Sequence, residues 1–265
     1  MKISPRHREW NELQKRERAF ILEATERKTS VINRFLADKV PPTLHSTLDS
    51  AFAKAFGVIF EKGTGIIEKT YDRAGTERRY KVHEYAADLR EDRKNLRGFS
   101  KRADAAGSAS LLISGAEGVG LGFLGIGLPD IPLFTGVLLR SVYEIALRYG
   151  YSYESEAEKY FILKLIETSL SVGDDLKRGN AEINEFIDRG ALPEGYRRDR
   201  QIAAASTRLS GELLYMKFLQ GVPIVGVVGG IYDAVYLERV LRYAKLKYHR
   251  RFLLDRGRRL TAGNA

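Results

Sequence analysis

The residues with the clearest chemical potential are acids that precede arginines in two apolar, glycine-containing segments. Asp130 precedes Arg140 by ten residues in the first segment, and Asp233 precedes Arg242 by nine residues in the second. If the two segments pack together, these side chains form a buried cluster that could serve an enzyme, bind a small ligand, or be purely structural, because buried charges must be paired. The members of this candidate polar cluster are Asp130, Arg140, Glu144, Arg148, Asp233, Arg239 and Arg242.

Helical spacing gives part of this cluster a local explanation. Arg140, Glu144 and Arg148 follow one another at four-residue steps, so one acid can pair with two arginines on a single helix face. Asp130 stands just before this helix, where a carboxylate can cap free backbone N–H groups and meet the positive end of the helix dipole. Gly150 is a natural stop for the same helix. We therefore interpret Asp130 first as a helix cap and only second as a binding or catalytic residue.

Other catalytic and metal-binding patterns are absent from the sequence. There is no cysteine, no GxSxG nucleophile motif and no GK[ST] phosphate loop. The stretch Gly120–Gly125 matches GxGxxG, but it follows a helical pattern rather than the strand that dinucleotide binding requires. We expect neither a cofactor nor a metal site. The four histidines lack the spacing of metal ligands, and they are His7, His45, His83 and His249.

Small residues recur at four-residue steps in both apolar segments. Such spacing lets another helix backbone approach closely, either inside a membrane or in a soluble core. Between Glu117 and Arg140 the only charge is Asp130, but Pro129 and Pro132 interrupt the run. A broken helical hairpin, buried in protein or dipping into one leaflet, is therefore favoured over a full membrane span. The glycines predicted to pack closely are Gly118, Gly122, Gly226 and Gly230.

A strongly basic stretch follows the second glycine-rich segment. From Arg239 to Arg259 there are nine lysines and arginines against one acid, Asp255, and the whole chain has a formal net charge of +10. Such a block can bind phosphate groups of anionic lipid or nucleic acid, or it can be a solvated helix face. No helix-turn-helix or base-stacking motif supports nucleic acid. The residues predicted to contact membrane or phosphate are Lys245, Lys247, Arg250, Arg251, Arg256, Arg258 and Arg259.

The elements that position these residues are predicted to be helices. Apolar residues recur at three- and four-residue steps, and no alternating strand of convincing length occurs. We predict an all-α fold, one multi-helix domain with the two glycine-rich apolar hairpins packed centrally. Residues 1–38 are predicted to form an N-terminal amphipathic helix, 39–255 the main helical domain, and 256–265 a basic flexible tail. Within the domain, 173–200 is interpreted as a polar connection with one short helix.

Two blocks of the sequence, Gly125–Tyr151 and Gly221–Asp255, carry a family resemblance. The first contains GLPDIP and then LRSVYEIALRYGY, the second begins GVPIVGVVGGIYDAVYLERVLRYAKLKY, and Lys39–Phe56 adds KVPPTLHSTLDSAFAKAF. In these blocks the chain resembles the EcsC family of bacterial proteins, over roughly residues 35–255. That family is named after a gene adjacent to an ABC transporter, and the first block is also similar to helical domains of some membrane-associated GTPases. The resemblance implies membrane proximity rather than catalysis.

Composition and the N-terminus bear on the compartment in which the protein works. The absence of cysteine fits a reducing compartment, and the N-terminus lacks the apolar core of a signal peptide. We therefore expect a non-enzymatic helical protein, peripheral at the cytoplasmic face of the membrane, that binds anionic lipid or a membrane protein partner. The alternative is an enzyme or small-ligand binder that uses Asp130, Arg140, Glu144 and Asp233. Nucleic-acid binding is the least supported class.

Overall fold

The computed structural model describes five ranges of the chain: 3–26, 41–62, 64–104, 131–219 and 232–262. These ranges contain helices and no strand, and their buried apolar side chains form one core, so the prediction of a single all-α domain is confirmed. In chain order the helices are α1 (Pro5–Glu26), α2 (Pro42–Lys62), α3 (Thr64–Glu68), α4 (Arg73–Leu89), a further helical segment over 93–104, α5 (Ile131–Arg148), α6 (Glu156–Leu170), α7 (Gly173–Arg189), α8 (Arg198–Leu219) and α9 (Tyr232–Ala262).

The two glycine-rich segments, 105–130 and 220–231, lie outside the described residues. The predicted hairpins therefore lie outside them too. Asp233 belongs to the first turn of α9, but its side chain is also outside the described part of the chain. The other predicted site residues that fall outside are Asp130, Gly118, Gly122, Gly226 and Gly230.

Three helices, α5, α6 and α9, form the centre of the domain. α5 packs against α2, α4 and α9, whereas α6 packs against α7, α8 and α9. The apolar periodicity of α5 predicts this burial, because Leu138, Val142 and Ile145 share one face and are fully buried. α9 also contacts α1 and α7, so it touches more of the domain than a surface helix would. The helices that follow the two glycine-rich segments are thus direct neighbours in the core.

The junction between α5 and α6 is fixed by local sequence. Gly150 adopts a left-handed conformation with φ of 84° just after α5, as expected for a helix stop. Any larger residue there would also collide with the ring of Tyr80, which lies 2.3 Å from the point that a Cβ atom would occupy. Ser155 then caps α6, since its hydroxyl accepts a hydrogen bond from the Glu158 amide at 3.1 Å. Two short-range signals therefore orient two central helices.

The segment predicted as a polar connection contains a full helix instead. α7 spans Gly173–Arg189 and ends at Gly190, which is left-handed with φ of 70°. Its buried face carries Leu176, Ile183 and Phe186, while the intervening acids and bases face outward. The apolar spacing of an amphipathic helix is thus present within a charge-rich sequence.

The helices near both ends of the chain, α1 and α9, pack against the core. The sequence predicts an N-terminal amphipathic helix over residues 1–38. Within the described part of that range, 3–26, α1 packs on α7 and α9 and buries Leu13 and Phe20. The sequence also predicts a flexible tail over 256–265, whereas α9 continues as regular helix through Ala262. The reason is Arg256, which is 2% exposed and anchors this end of α9 against neighbouring helices.

Candidate functional site

The α5 part of the predicted polar cluster is assembled as its spacing indicates. Arg140 Nε lies 3.2 Å from Glu144 Oε1, and Arg148 Nη2 lies 3.8 Å from Glu144 Oε2. Arg148 also donates to the backbone carbonyl of Arg102 at 2.9 Å. Glu144 is 8% exposed, so its two oxygens face arginines rather than water. This arrangement links α5 to the segment 93–104 and has the character of a structural ion-pair set.

The α9 members of the cluster have other partners. Arg239 donates to the carbonyl of Ser171 at 2.8 Å and lies 4.0 Å from Glu212, while Arg242 pairs with Glu23 of α1. The described residues therefore divide the predicted cluster between separate contacts. The two acids that would complete it lie outside the described part of the chain, so no assembled catalytic cluster is present among the described side chains.

The middle of the basic stretch is committed to ion pairs inside the domain. Lys247 is fully buried, and its Nζ donates to Glu17 of α1 at 2.5 Å and to Asn184 of α7 at 2.8 Å. Burial lowers the pKa of Lys247 to about 8, although attraction to Glu17 opposes this shift. Arg250 lies 3.8 Å from the same carboxylate and stands over the ring of Trp10. These contacts bind α1 and α7 to α9.

The C-terminal part of the basic stretch pairs mainly with acids of the α4 region. Arg256 donates to Asp88 at 2.6 Å and to Glu91 at 2.9 Å. Arg259 donates to Glu84, also at 2.6 Å. The arginines of α9 therefore offset part of the negative charge of these three acids.

Arg251 and Arg258 contact α6 and α7. Arg251 donates to Glu158 at 2.6 Å, and the same carboxylate accepts a hydrogen bond from the Tyr248 hydroxyl at 2.6 Å. Arg258 donates to the carbonyl of Asp188 at 2.7 Å, although half of its side chain is exposed. α9 thus reaches its neighbours through cations as well as through apolar packing.

Burial corrects the prediction that the whole basic stretch contacts membrane or phosphate. Lys247 and Arg256 cannot reach an external surface from this fold, and only 20% of the Arg251 side chain is exposed. The physical reason is that α9 is a core helix, so its cations meet acids of neighbouring helices. Arg258 and Arg259 keep about half of their side chains exposed. Lys245 lines a cavity described below.

A different surface combines apolar and cationic groups, and it lies on α4. Val82, Tyr85 and Leu89 are 65%, 66% and 71% exposed, and their spacing places them on one face of the helix. Arg78, also exposed, continues this face one turn earlier, and exposed Lys81 borders it. We call these five residues the α4 stripe. Arg78 and Lys81 form no ion pair with any residue in the described ranges.

The second candidate is a cavity of about 270 Å³ between α1, the segment 93–104 and α9. Its charged lining consists of Arg16, Arg242 and Lys245, with Asp104 as the one acid. The side chains of Arg16 and Arg242 are 44% and 45% exposed and form the rim, whereas His249 is 4% exposed and lies deeper. We call this the α9 cavity. Its charge favours anionic ligands.

His249 is held in the α9 cavity as a neutral ring. Burial, with a smaller effect from Arg16, lowers its pKa to about 3. The ring stacks on Tyr149, with 5.7 Å between the ring centres. Its Nε2 is buried and has no hydrogen-bond partner among the described residues. A buried polar atom without a partner is uncommon and requires an explanation.

Comparison with known proteins assigns the chain to a family. The model of the EcsC protein family matches residues 6–253, which extend from the first turn of α1 into the last part of α9. This chain belongs to the EcsC family. No curated protein and no solved structure gives a significant match. The EcsC region contains both the α4 stripe and the α9 cavity.

The described ranges of this EcsC-family chain contain neither a membrane-spanning helix nor a group of metal ligands. No helix within them is both long and apolar enough to cross a bilayer. In the same ranges, no three side chains of the metal-ligating types group in a way that could hold an ion.

Sequence reasoning did not identify the α4 stripe or most of the α9 cavity in this EcsC-family domain. The stripe had a usable signal, because Val82, Tyr85 and Leu89 have amphipathic spacing in an otherwise polar helix, but such spacing is usually taken to indicate a buried face. The α9 cavity has no such signal in the sequence, because its lining residues Arg16 and His249 come from opposite ends of the chain. Only Arg242 and Lys245 were already candidates.

Proposed function

We propose that this protein binds anionic membrane at the cytoplasmic face, docks through the α4 stripe, and catalyses no reaction in doing so. The observation that carries the proposal is the combination of three exposed apolar side chains with two cations, Arg78 and Lys81, on and beside one helix face. Exposed apolar groups beside unpaired cations are the features by which amphipathic helices lie on anionic lipid.

The charge around the stripe is compatible with docking on an anionic surface. Acids near α4 would repel an anionic membrane, but Asp88 and Glu91 are paired with Arg256, and Glu84 is paired with Arg259. These two arginines offset two of the three negative charges, and the stripe adds two cations that form no ion pair among the described residues. The predicted basic stretch thus contributes indirectly, by partly neutralising the acids of the α4 region rather than by touching lipid.

The expected affinity is that of a reversible peripheral protein. Complete burial of a valine, leucine or aromatic side chain stabilises by roughly 1.5–3 kcal/mol, and each cation near an anionic surface adds about 1 kcal/mol. The three apolar side chains are already about one-third covered by the protein, so each contributes less than this maximum. Together the five groups stabilise docking by several kcal/mol, part of which is sensitive to salt.

The test is flotation or sedimentation of the full chain with phosphatidylcholine vesicles that contain or lack phosphatidylserine. Replacing Arg78 and Lys81 together with glutamine should weaken binding to the anionic vesicles about thirtyfold, because two contributions of about 1 kcal/mol are lost. The wild-type protein should also bind less at high salt. Neutral vesicles should bind poorly in every case.

A matched control removes the same charge elsewhere. Arg18 of α1 and Lys54 of α2 are exposed and form no ion pair within the described ranges. Arg18→Gln with Lys54→Gln should therefore leave vesicle binding almost unchanged. An equal loss in both double variants would show that net charge, not the stripe, drives binding. Wild-type protein that ignores anionic vesicles at low salt, or prefers DNA or a membrane protein to them, would overturn the proposal.

A further inference from the structure

We infer that the α9 cavity binds a compact phosphate group, which Arg16, Arg242, Lys245 and His249 would surround. This inference goes beyond docking on the membrane, because the cavity and the α4 stripe share no residue. Its source is the geometry of the cavity. Cations form the rim, and the lining includes the buried ring of His249, whose Nε2 has no hydrogen-bond partner among the described residues.

Two of the three cations of the cavity, Arg16 and Lys245, retain donors for a ligand. Arg16 has one acidic neighbour, Glu12, at a distance of 3.8 Å, and both side chains of this pair are substantially exposed. An exposed pair of this kind is weak, and a guanidinium has five N–H donors. Lys245 donates to the carbonyl of Asp104 at 3.2 Å, and its ammonium lies 3.8 Å from the Asp104 carboxylate. Both cations can therefore turn to a ligand without losing a strong contact.

An anion in the α9 cavity would stabilise the charged form of Lys245. Only 20% of its side chain is exposed, and burial lowers its pKa despite the nearby Asp104. The lowered pKa indicates that Asp104 compensates the charge of Lys245 only in part. A phosphate oxygen near Nζ would supply that compensation through a charge-assisted hydrogen bond.

His249 supplies the second, independent observation. A neutral imidazole carries one N–H donor and one acceptor, so it can pair with either an oxygen or a hydroxyl of a phosphate group. No described residue uses the Nε2 atom, although the ring itself is fixed by stacking on Tyr149. A ligand that enters past Arg16 and Arg242 would meet the ring of His249 in the lining of the cavity.

The size of the cavity limits what accompanies the phosphate. A volume of about 270 Å³ is just below the range of roughly 300–1,000 Å³ that is usual for drug-sized ligands. It accommodates inorganic phosphate, a small phosphorylated metabolite, or the headgroup of a phospholipid without its chains. The chemistry is the same in each case, so the source of the phosphate has to be distinguished by experiment.

The test has two arms that use the full chain. In the first, inorganic phosphate is titrated at constant ionic strength and followed by calorimetry, with imidazole NMR of the four histidines as the local readout. In the second, vesicles containing phosphatidic acid are compared with vesicles containing phosphatidylserine. Lys245→Gln and Arg16→Gln should each weaken phosphate-dependent binding about tenfold, as expected for loss of one hydrogen bond between charged groups. Arg18→Gln, an exposed change on the same helix as Arg16, is the control.

The outcomes separate the sources and can overturn the inference. Saturable binding of inorganic phosphate that shifts the His249 resonances, and is weakened in both variants but not in the control, supports a soluble ligand. A preference for phosphatidic acid vesicles that the same two variants remove supports a lipid headgroup. If neither form binds, or if the control variant loses as much as the others, the cavity is not a phosphate site. Because Arg78 and Lys81 lie elsewhere, their variants should leave phosphate binding intact, so this inference and the proposed membrane docking can fail separately.

Discussion

Replacing Glu17 with glutamine is expected to lower the free energy of unfolding by about 3–5 kcal/mol, the range observed when one member of a buried ion pair is removed. Lys247 is fully buried and donates to this carboxylate, and Arg250 lies 3.8 Å from it. With glutamine at position 17 the ammonium keeps amide oxygens as partners, there and at Asn184, but no carboxylate among the described residues accepts a hydrogen bond from it. The loss therefore reflects an uncompensated buried charge rather than the removal of one contact.

The measurement is chemical denaturation followed by circular dichroism, with Glu12→Gln as the control. Glu12 is on the same helix, but its pair with Arg16 is exposed and long, so its loss should cost less than about 1 kcal/mol. If the Glu17 and Glu12 variants unfold at the same denaturant concentration, the assignment of the basic stretch to internal ion pairs is wrong.

Replacing Arg256 with methionine is the second change with a large expected effect, about 2–3 kcal/mol of destabilisation, because three acceptors lose a charged donor. Its guanidinium donates to Asp88, to Glu91 and to the backbone carbonyl of Ala87, and only 2% of the residue is exposed. Methionine fills part of the space but leaves the carbonyl and the two acids without their donor. The destabilisation should be concentrated at the contact between α9 and the α4 region.

Hydrogen exchange distinguishes this local effect from a general one. Arg256→Met should speed exchange in α4 more than in α7, and Arg258→Met, at a half-exposed position of the same helix, should change neither strongly. A variant that shows wild-type stability and unchanged exchange in α4 would contradict the role given to Arg256. Where unfolding is too extensive for exchange measurements, the more conservative Arg256→Lys should show an intermediate loss.

The sequence predicted the core of the fold well where local signals and burial agree. The face of α5 that carries Leu138, Val142 and Ile145 is fully buried, and Gly150 ends that helix in the left-handed conformation expected of it. The sequence of α7 predicts a polar connection rather than a full helix, because acids and bases dominate its start. Its apolar residues Leu176 and Ile183 still have the spacing that packs a helix against a core.

The candidate site was predicted less well, and the basic stretch shows why. A run of lysines and arginines can be counted along the chain, but the acids that pair with it are distant in sequence. Glu158 lies 93 residues from its partner Arg251, and Glu17 lies 230 residues from its partner Lys247. Pairing at that separation depends on the tertiary arrangement and leaves no local pattern. The same holds for the α9 cavity, where only Arg242 and Lys245 belonged to a recognisable cluster. Replacing all the lysines and arginines of the basic stretch would therefore remove the internal ion pairs and unfold the domain. Such a variant would not test membrane binding.

The most direct test of membrane docking places a reporter in the α4 stripe. Because the chain has no cysteine, Tyr85→Cys gives a single labelling site for an environment-sensitive fluorophore, and Lys177→Cys on the exposed surface of α7 gives a matched control. On phosphatidylserine vesicles the label at position 85 should enter the bilayer interface, shift its emission to the blue and be quenched by spin-labelled lipid, while the label at position 177 stays in water. Membrane-bound protein in which both labels remain in water, or in which position 177 is quenched and position 85 is not, would contradict docking through α4.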